Sequence, residues 1–215
     1  MPMKTNEREY RDFTLEIETR DGIGESDQQE ERKVVRGYAS TFDEPYVLMD
    51  SADFELLEQV DAHAFDEADM SDVIFQYNHE GRVFARVKNG TLRVQPDDRG
   101  LAIEADLGGT DIGRDLYEEI KGGYTDKMSF GFRILEDEWV DNIDHETGKI
   151  TTLRTIKRIG KVYDVSAVSI PANDGTSISV RSLSDGAIER IKAERMKALD
   201  LERRKLKTKM RLGGF

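Results

Sequence analysis

The stretch DKMSFGFRI, residues 126–134, sets one serine between a methionine and two phenylalanines, with a glycine between the rings. A strand that only fills a core has no need of a hydroxyl there. In an extended chain Met128 and Phe130 point to one face, while Ser129 and Gly131 point to the other. The expectation is therefore a strand anchored by its apolar neighbours. Its hydroxyl would face an open surface, where Gly131 leaves room for a substrate. A serine hydroxyl is a poor nucleophile at neutral pH, and it needs a base and usually a third group that orients the base. The plainer reading is a structural serine in an apolar strand.

Three histidines could supply the base: His63, His79 and His145. His145 falls in the turn sequence DHETG and reads as a solvated loop residue. His63 falls in VDAHAFDEAD, which suggests a short helix, and its plainer role is packing or capping. His79 directly follows the apolar run DVIFQYN, so it stands at a strand end, a frequent place for catalytic groups. Its plainer reading is a surface histidine. The candidate acid is Asp164, in the middle of the apolar strand KVYDVSAVSI. A buried carboxylate costs several kcal/mol unless it is paired, and a histidine is a natural partner. Alternatively Asp164 and Ser166 share the exposed face of an edge strand.

Other chemistries find little support. There is no HExxH, no His pair at i, i+4 and no Asp-rich calcium loop, so no metal is expected. GGTDIG opens a helix but lacks the lysine of a phosphate-binding loop, so no nucleotide or other cofactor is expected. The absence of cysteine excludes disulfides and thiol catalysis. With 215 residues, 37% hydrophobic and 35% charged, the chain can build one modest core. Its opening residues carry no apolar stretch, and no run approaches the ~18 apolar residues of a membrane span. A soluble cytoplasmic protein with no membrane partner is expected. The net charge of −12 repels nucleic acid as a whole. Residues 187–215, however, hold ten Lys/Arg against four Asp/Glu, a net +6 that leaves −18 on the rest. An acidic body, residues 1–184, and a basic tail, residues 185–215, are expected to do separate jobs. The tail interleaves both charges and reads as a long amphipathic or coiled-coil helix to about Met210.

The elements that would position these residues are mostly strands. Residues 10–19 alternate Phe13, Leu15 and Ile17 with polar neighbours and suggest one strand with a buried face. Residues 33–42 suggest a second, with a bulge or close approach at Gly37. Residues 43–59 read as a long irregular connection. TLRVQ and LAIEADL around PDDRG give a hairpin. Residues 110–123 give a helix capped by Thr110 or Asp111 and ended by Gly122 and Gly123. The strand at Ser129, two strands around HETGK, and KVYDVSAVSI complete the list. A mainly β fold with a few helices is expected, as a barrel or a strongly curved sheet.

Five segments in order resemble the prohead (capsid maturation) proteases of tailed phages, relatives of the herpesvirus assemblin fold. VVRGYASTFDEPY is similar to the family's opening strand, DAHAFDEA to its short helix, and YNHEG to its strand-end histidine. MSFGF is similar to its serine motif, and YDVSAVSIPANDGTSI to its last motif. The resemblance spans residues 33–184 and implies a herpesvirus-protease-like fold. It implies Ser129 as nucleophile, His79 as general base and Asp164 as the orienting acid. His63 stands where the family has glycine and takes no role from the resemblance. The implied activity is limited proteolysis of scaffolding protein, or of a scaffold segment of the major capsid protein, and of the protease itself. The setting would be the assembling prohead in the host cytoplasm. The protease would act as an oligomer, a dimer or more, with no need of nucleic acid. On that reading the basic tail docks on acidic scaffold or shell and is removed on activation. The alternative is a non-enzymatic capsid assembly or scaffolding protein of related fold.

Overall fold

The computed structural model describes residues 8–13, 18–21, 32–144, 146–169 and 187–212. The chain divides into two compact units, Met1–Ser182 and Leu183–Phe215. The first unit is mainly β, as expected, but neither of its two sheets closes into a barrel.

Two long strands form its spine. They are β10, Lys127–Ile143, and β11, Ile150–Val168, an antiparallel hairpin. The sequence suggests four separate strands over this region. They merge in pairs, because register shifts between Gly131 and Asp137 bend β10 without ending it. The hairpin turn is built on Asp144, which accepts the Gly148 N–H at its carbonyl (2.7 Å) and the Thr147 hydroxyl at its carboxylate (2.6 Å). His145 lies outside the described residues.

Strand β11 has two parallel neighbours on the side away from β10. Its first half pairs with β5, Phe54–Val60, and its second half with β6, Ile74–Tyr77. Beyond β5 lies β4, Tyr46–Asp50, and β6 turns back into β7, Glu80–Arg86. On the other side β10 carries β1, Glu9–Phe13, which forms the edge of the sheet. The second sheet has the order β2 (Glu18–Asp21), β3 (Lys33–Thr41), β9 (Gly100–Asp106), β8 (Leu92–Pro96). The β8–β9 hairpin forms as expected. Helix α1, Asp111–Lys121, is capped by the Thr110 side chain, which accepts the Gly113 N–H at 3.1 Å.

Four expectations need correction. The strand read over residues 10–19 is two strands in two sheets, since β1 pairs with β10 and β2 with β3. Leu15 and Ile17 lie outside the described residues. The connection read over residues 43–59 is the β4–β5 hairpin. Its buried face runs Phe54, Leu56, Glu58, Val60, and the glutamate interrupts the apolar alternation that would have marked a strand. VDAHAFDEAD forms turns instead of a helix, joined by bonds from Ala64 N to Asp61 O and from Ala68 N to Phe65 O. The irregularity expected at Gly37 in β3 falls between Tyr38 and Thr41.

One apolar core unites the elements. Phe130 and Phe132 of β10 stack with centroids 4.3 Å apart, and Phe65 lies 6.0 Å from Phe130. Val35, Phe75, Leu101, Tyr117, Ile156 and Val165 close around them. Burying each large apolar side chain is worth about 1.5–3 kcal/mol. This packing fixes β10 and β11, the strands that carry the candidate residues.

The sequence gives no warning of the ionic cluster beside this core. Arg11, fully buried, pairs with Glu58 through Nε and again from Nη2 to Oε2 at 2.9 Å, and it meets Glu9 at 2.6 Å. Arg154 donates to Glu58 at 3.0 Å, Glu9 at 3.1 Å and Asp137 at 2.8 Å. Tyr46 donates to Glu58 at 2.5 Å. Burial alone would push the Glu9 carboxyl up, but the Arg11 and Arg154 guanidiniums outweigh it and bring it from 4.5 down to about 2. A depressed folded value gives stability that is complete above the unfolded value and lost as pH falls through the folded one. At about 1.4 kcal/mol per pH unit this amounts to about 3 kcal/mol. Melting temperature is therefore expected to hold down to about pH 5 and to fall from about pH 4.5 towards pH 2. Glu9→Gln should start lower at neutral pH and decline less steeply in acid. Parallel acid limbs in calorimetry would show that Glu9 does not contribute.

The second unit is described by helix α2, Ala187–Leu212. Its exposed side chains include Arg190, Arg204 and Lys205, with an Asp200–Arg204 ion pair at 2.8 Å. Among the described residues no helix is long and apolar enough to cross a membrane.

Candidate active site

Strand register brings the candidate residues together. On β10, Ser129 stands opposite Ser166 of β11, and Gly131 stands opposite Asp164. Side chains alternate in a strand, so Ser129, Asp164 and Ser166 share one face. Strand β6 runs beside this part of β11, with Ile74 opposite Asp164 and Gln76 opposite Ser166. It ends in a two-residue turn, Asn78–His79, with Tyr77 paired to Glu80. Both turn residues have positive φ, 51° and 60°, as a type I′ hairpin requires. Asparagine tolerates this region and histidine less readily, so the turn needs outside support. Asn78 N–H donates to the Ala167 carbonyl at 3.0 Å, which fixes the turn to β11.

The turn swings the His79 ring over β10 and β11. Its Nδ1 bonds Asp164 Oδ2, and its Nε2 lies 2.5 Å from Ser129 Oγ. Ser166 Oγ donates to the same Asp164 oxygen at 3.0 Å and lies 3.2 Å from Nδ1. A carboxylate on Nδ1 selects the tautomer with the proton there and leaves Nε2 as an acceptor. That is the arrangement in which an imidazole can take a hydroxyl proton. Ser129, Asp164 and Ser166 are fully buried, and the His79 side chain is 7% exposed.

The first strand accounts for that burial. Arg8 forms an ion pair with Asp164 Oδ1, its guanidinium lying between the Tyr10 and Tyr163 rings at 4.9 and 4.8 Å. Tyr10 meets His79 edge-on, with centroids 4.4 Å apart. The Ser129 hydroxyl donates to the Arg11 carbonyl at 2.8 Å.

Two details of the expected serine strand are overturned. Ser129 does not face an open surface, because β1 and the His79 turn lie over it. Nor does Gly131 make room for substrate. A Cβ there would collide with the Asp164 carboxylate and would lie 2.9 Å from both Arg8 Nε and Tyr10 Cε1. The glycine makes room for the acid. Gly131→Ala is expected to fold but to displace Asp164 from His79. A misplacement of this kind costs about 100-fold in rate, measurable with any substrate the protein cuts. Full activity of the variant would show that the carboxylate can shift harmlessly.

Of the other histidines, His63 is exposed, with its Nδ1 3.2 Å from Asp66 Oδ2. Sequence reasoning missed Arg8 and Tyr10, which stand at the edge of a polar opening with no pattern to mark them. Ser166 was legible in principle, because it shares the Asp164 side of its strand.

The caudovirus prohead serine protease family matches this chain over residues 17–191, which contains all three candidates. The chain belongs to that family. A relative, the prohead protease of Escherichia phage T5, is 26% identical over 117 residues. The match covers 54% of this chain and 50% of the relative, so the chain spans about half the length of the curated protein it matches. No solved structure matches the chain. The family's description as serine proteases gives the buried serine on β10 its interest.

Proposed function

We propose that this protein is a serine endopeptidase of capsid maturation in which Ser129 is the nucleophile, His79 the general base and Asp164 the group that orients the base. The single observation behind these roles is the line of close contacts that places Ser129 Oγ 2.5 Å from His79 Nε2 and the other ring nitrogen, Nδ1, on Asp164 Oδ2. In the reaction His79 Nε2 takes the Ser129 proton as Oγ attacks the peptide carbonyl. The Asp164 carboxylate holds the Nδ1 proton and stabilises the imidazolium that forms. His79 then delivers the proton to the leaving amine, and water releases the acyl group by the same route. Ser166, which donates to Asp164 Oδ2 at 3.0 Å, helps to hold the carboxylate beside the ring.

The substrates on this reading are scaffolding protein, or a scaffold segment of the major capsid protein, and the protease itself. The site of action is the interior of the assembling prohead. Family membership supports this setting, and no cofactor is invoked. The test is co-expression with the capsid and scaffolding proteins of the same phage, followed by mass spectrometry of the products. Shortened capsid protein with the wild-type chain, and intact protein with His79→Ala, is the expected result. Capsid and scaffold left whole by the wild-type chain would remove these substrates. Equal cutting by both chains would remove the base.

A further inference from the structure

Arg8, just before β1, and Tyr10 and Arg11 within it each engage one member of the proposed triad. Arg8 pairs with Asp164, Tyr10 packs on His79, and the Arg11 carbonyl accepts the Ser129 hydroxyl at 2.8 Å. A purely structural edge strand has no reason to meet all three. A hydroxyl has one proton, and while it points to Arg11 it is withheld from His79 Nε2. The carbonyl also presents its oxygen, not its carbon, to Ser129 Oγ, so the contact is not an attack geometry. Arg8 partly neutralises the charge on Asp164 that would stabilise an imidazolium.

The position of β1 in the sheet adds a second, independent argument. It is the edge strand, antiparallel to β10 and in register from Glu9 opposite Phe132 to Phe13 opposite Met128. Without it, the backbone groups of β10 beside Ser129 would form a free edge. A free edge next to a nucleophile is where an extended peptide adds as a strand. Loss of β1 would also leave the buried cluster balanced. The strand brings one acid, Glu9, and one base, Arg11, while Glu58 keeps Arg154 and Tyr46 as partners and Arg154 keeps Asp137.

We infer that the β10 edge beside Ser129 is the substrate site, that it takes an extended peptide as an antiparallel strand, and that β1 fills it in cis and holds the enzyme closed. The inference rests on the Ser129–His79–Asp164 reading. Activation is then the displacement or removal of β1.

The test locks the strand in place. The chain has no cysteine, so Phe13→Cys with Met128→Cys, at register-opposed positions, introduces a single possible disulfide. The probe is a fluorophosphonate, which reacts with an activated serine and needs no substrate strand, read by mass mapping of Ser129. The oxidised protein should label at least ten times more slowly than the same protein reduced. A second variant, Arg8→Ala with Tyr10→Ala, loosens the strand without touching the core and should label at least three times faster than wild type. It decides the matter alone if the cysteine pair fails to fold. Equal rates in the oxidised and reduced forms, or slower labelling of the Arg8/Tyr10 variant, would overturn the proposal and make β1 a positioning strand. Absence of label on Ser129 in every protein would instead sink the triad reading, and this inference with it.

Discussion

Replacing Ser129 with alanine is expected to leave a folded chain that cuts nothing. The substitution removes one oxygen from a fully buried position. It leaves the Arg11 carbonyl and His79 Nε2 each short of one partner. A lost hydrogen bond of this kind costs on the order of 1 kcal/mol, a small loss against the packing of Met128, Phe130 and Phe132 around it. Melting temperature should therefore shift by only a few degrees. Activity should fall by at least ~10⁴-fold, since the oxygen beside His79 Nε2 is gone. Cleavage at an undiminished rate would remove Ser129 from the chemistry.

Asp164→Asn is expected to be nearly as severe, for a different reason. The amide has almost the shape of the carboxylate, so the strand register and the Gly131 niche survive. Its NH₂ group can donate to His79 Nδ1, which a carboxylate cannot do. The ring proton then moves to Nε2, and Nε2 can no longer accept the Ser129 hydroxyl. A wrong tautomer of this kind costs about 10⁴-fold in kcat. The readout is kcat against KM on a peptide substrate, where the loss should fall on kcat. Arg8 loses its ion partner as well, so a loosened first strand is a further consequence, visible as faster amide exchange in β1. A loss confined to KM would assign Asp164 to binding instead of to the histidine.

Much of this was legible in the sequence, and what was not has physical reasons. Ser129, His79 and Asp164 stood out because each is a polar group in or beside an apolar strand, where an unpaired polar atom is costly. Their meeting could not be read, because it depends on two registers, β10 with β11 and β11 with β6. Alternation placed Ser129 and Gly131 on one face correctly. It could not say what covers that face, since the cover comes from β1, more than a hundred residues away. The β4–β5 hairpin was missed because Glu58 occupies a core position, and its acceptability depends on Arg11 and Arg154 from two other strands. The long β10 and β11 were read as fragments because exposed charged residues such as Glu136 and Glu138 lie along a continuous ladder. Turn chemistry at Asn78–His79 was the least visible feature. Histidine is rarely placed at positive φ, and here it is the turn that aims the ring.

The most direct test of the central claim is to expose the wild-type chain to a fluorophosphonate, digest it and map the adduct by mass spectrometry. The account predicts phosphonylation of Ser129, lost in Ser129→Ala and strongly slowed in His79→Ala. An adduct on another serine such as Ser40 or Ser166, or labelling that persists in Ser129→Ala, would contradict it.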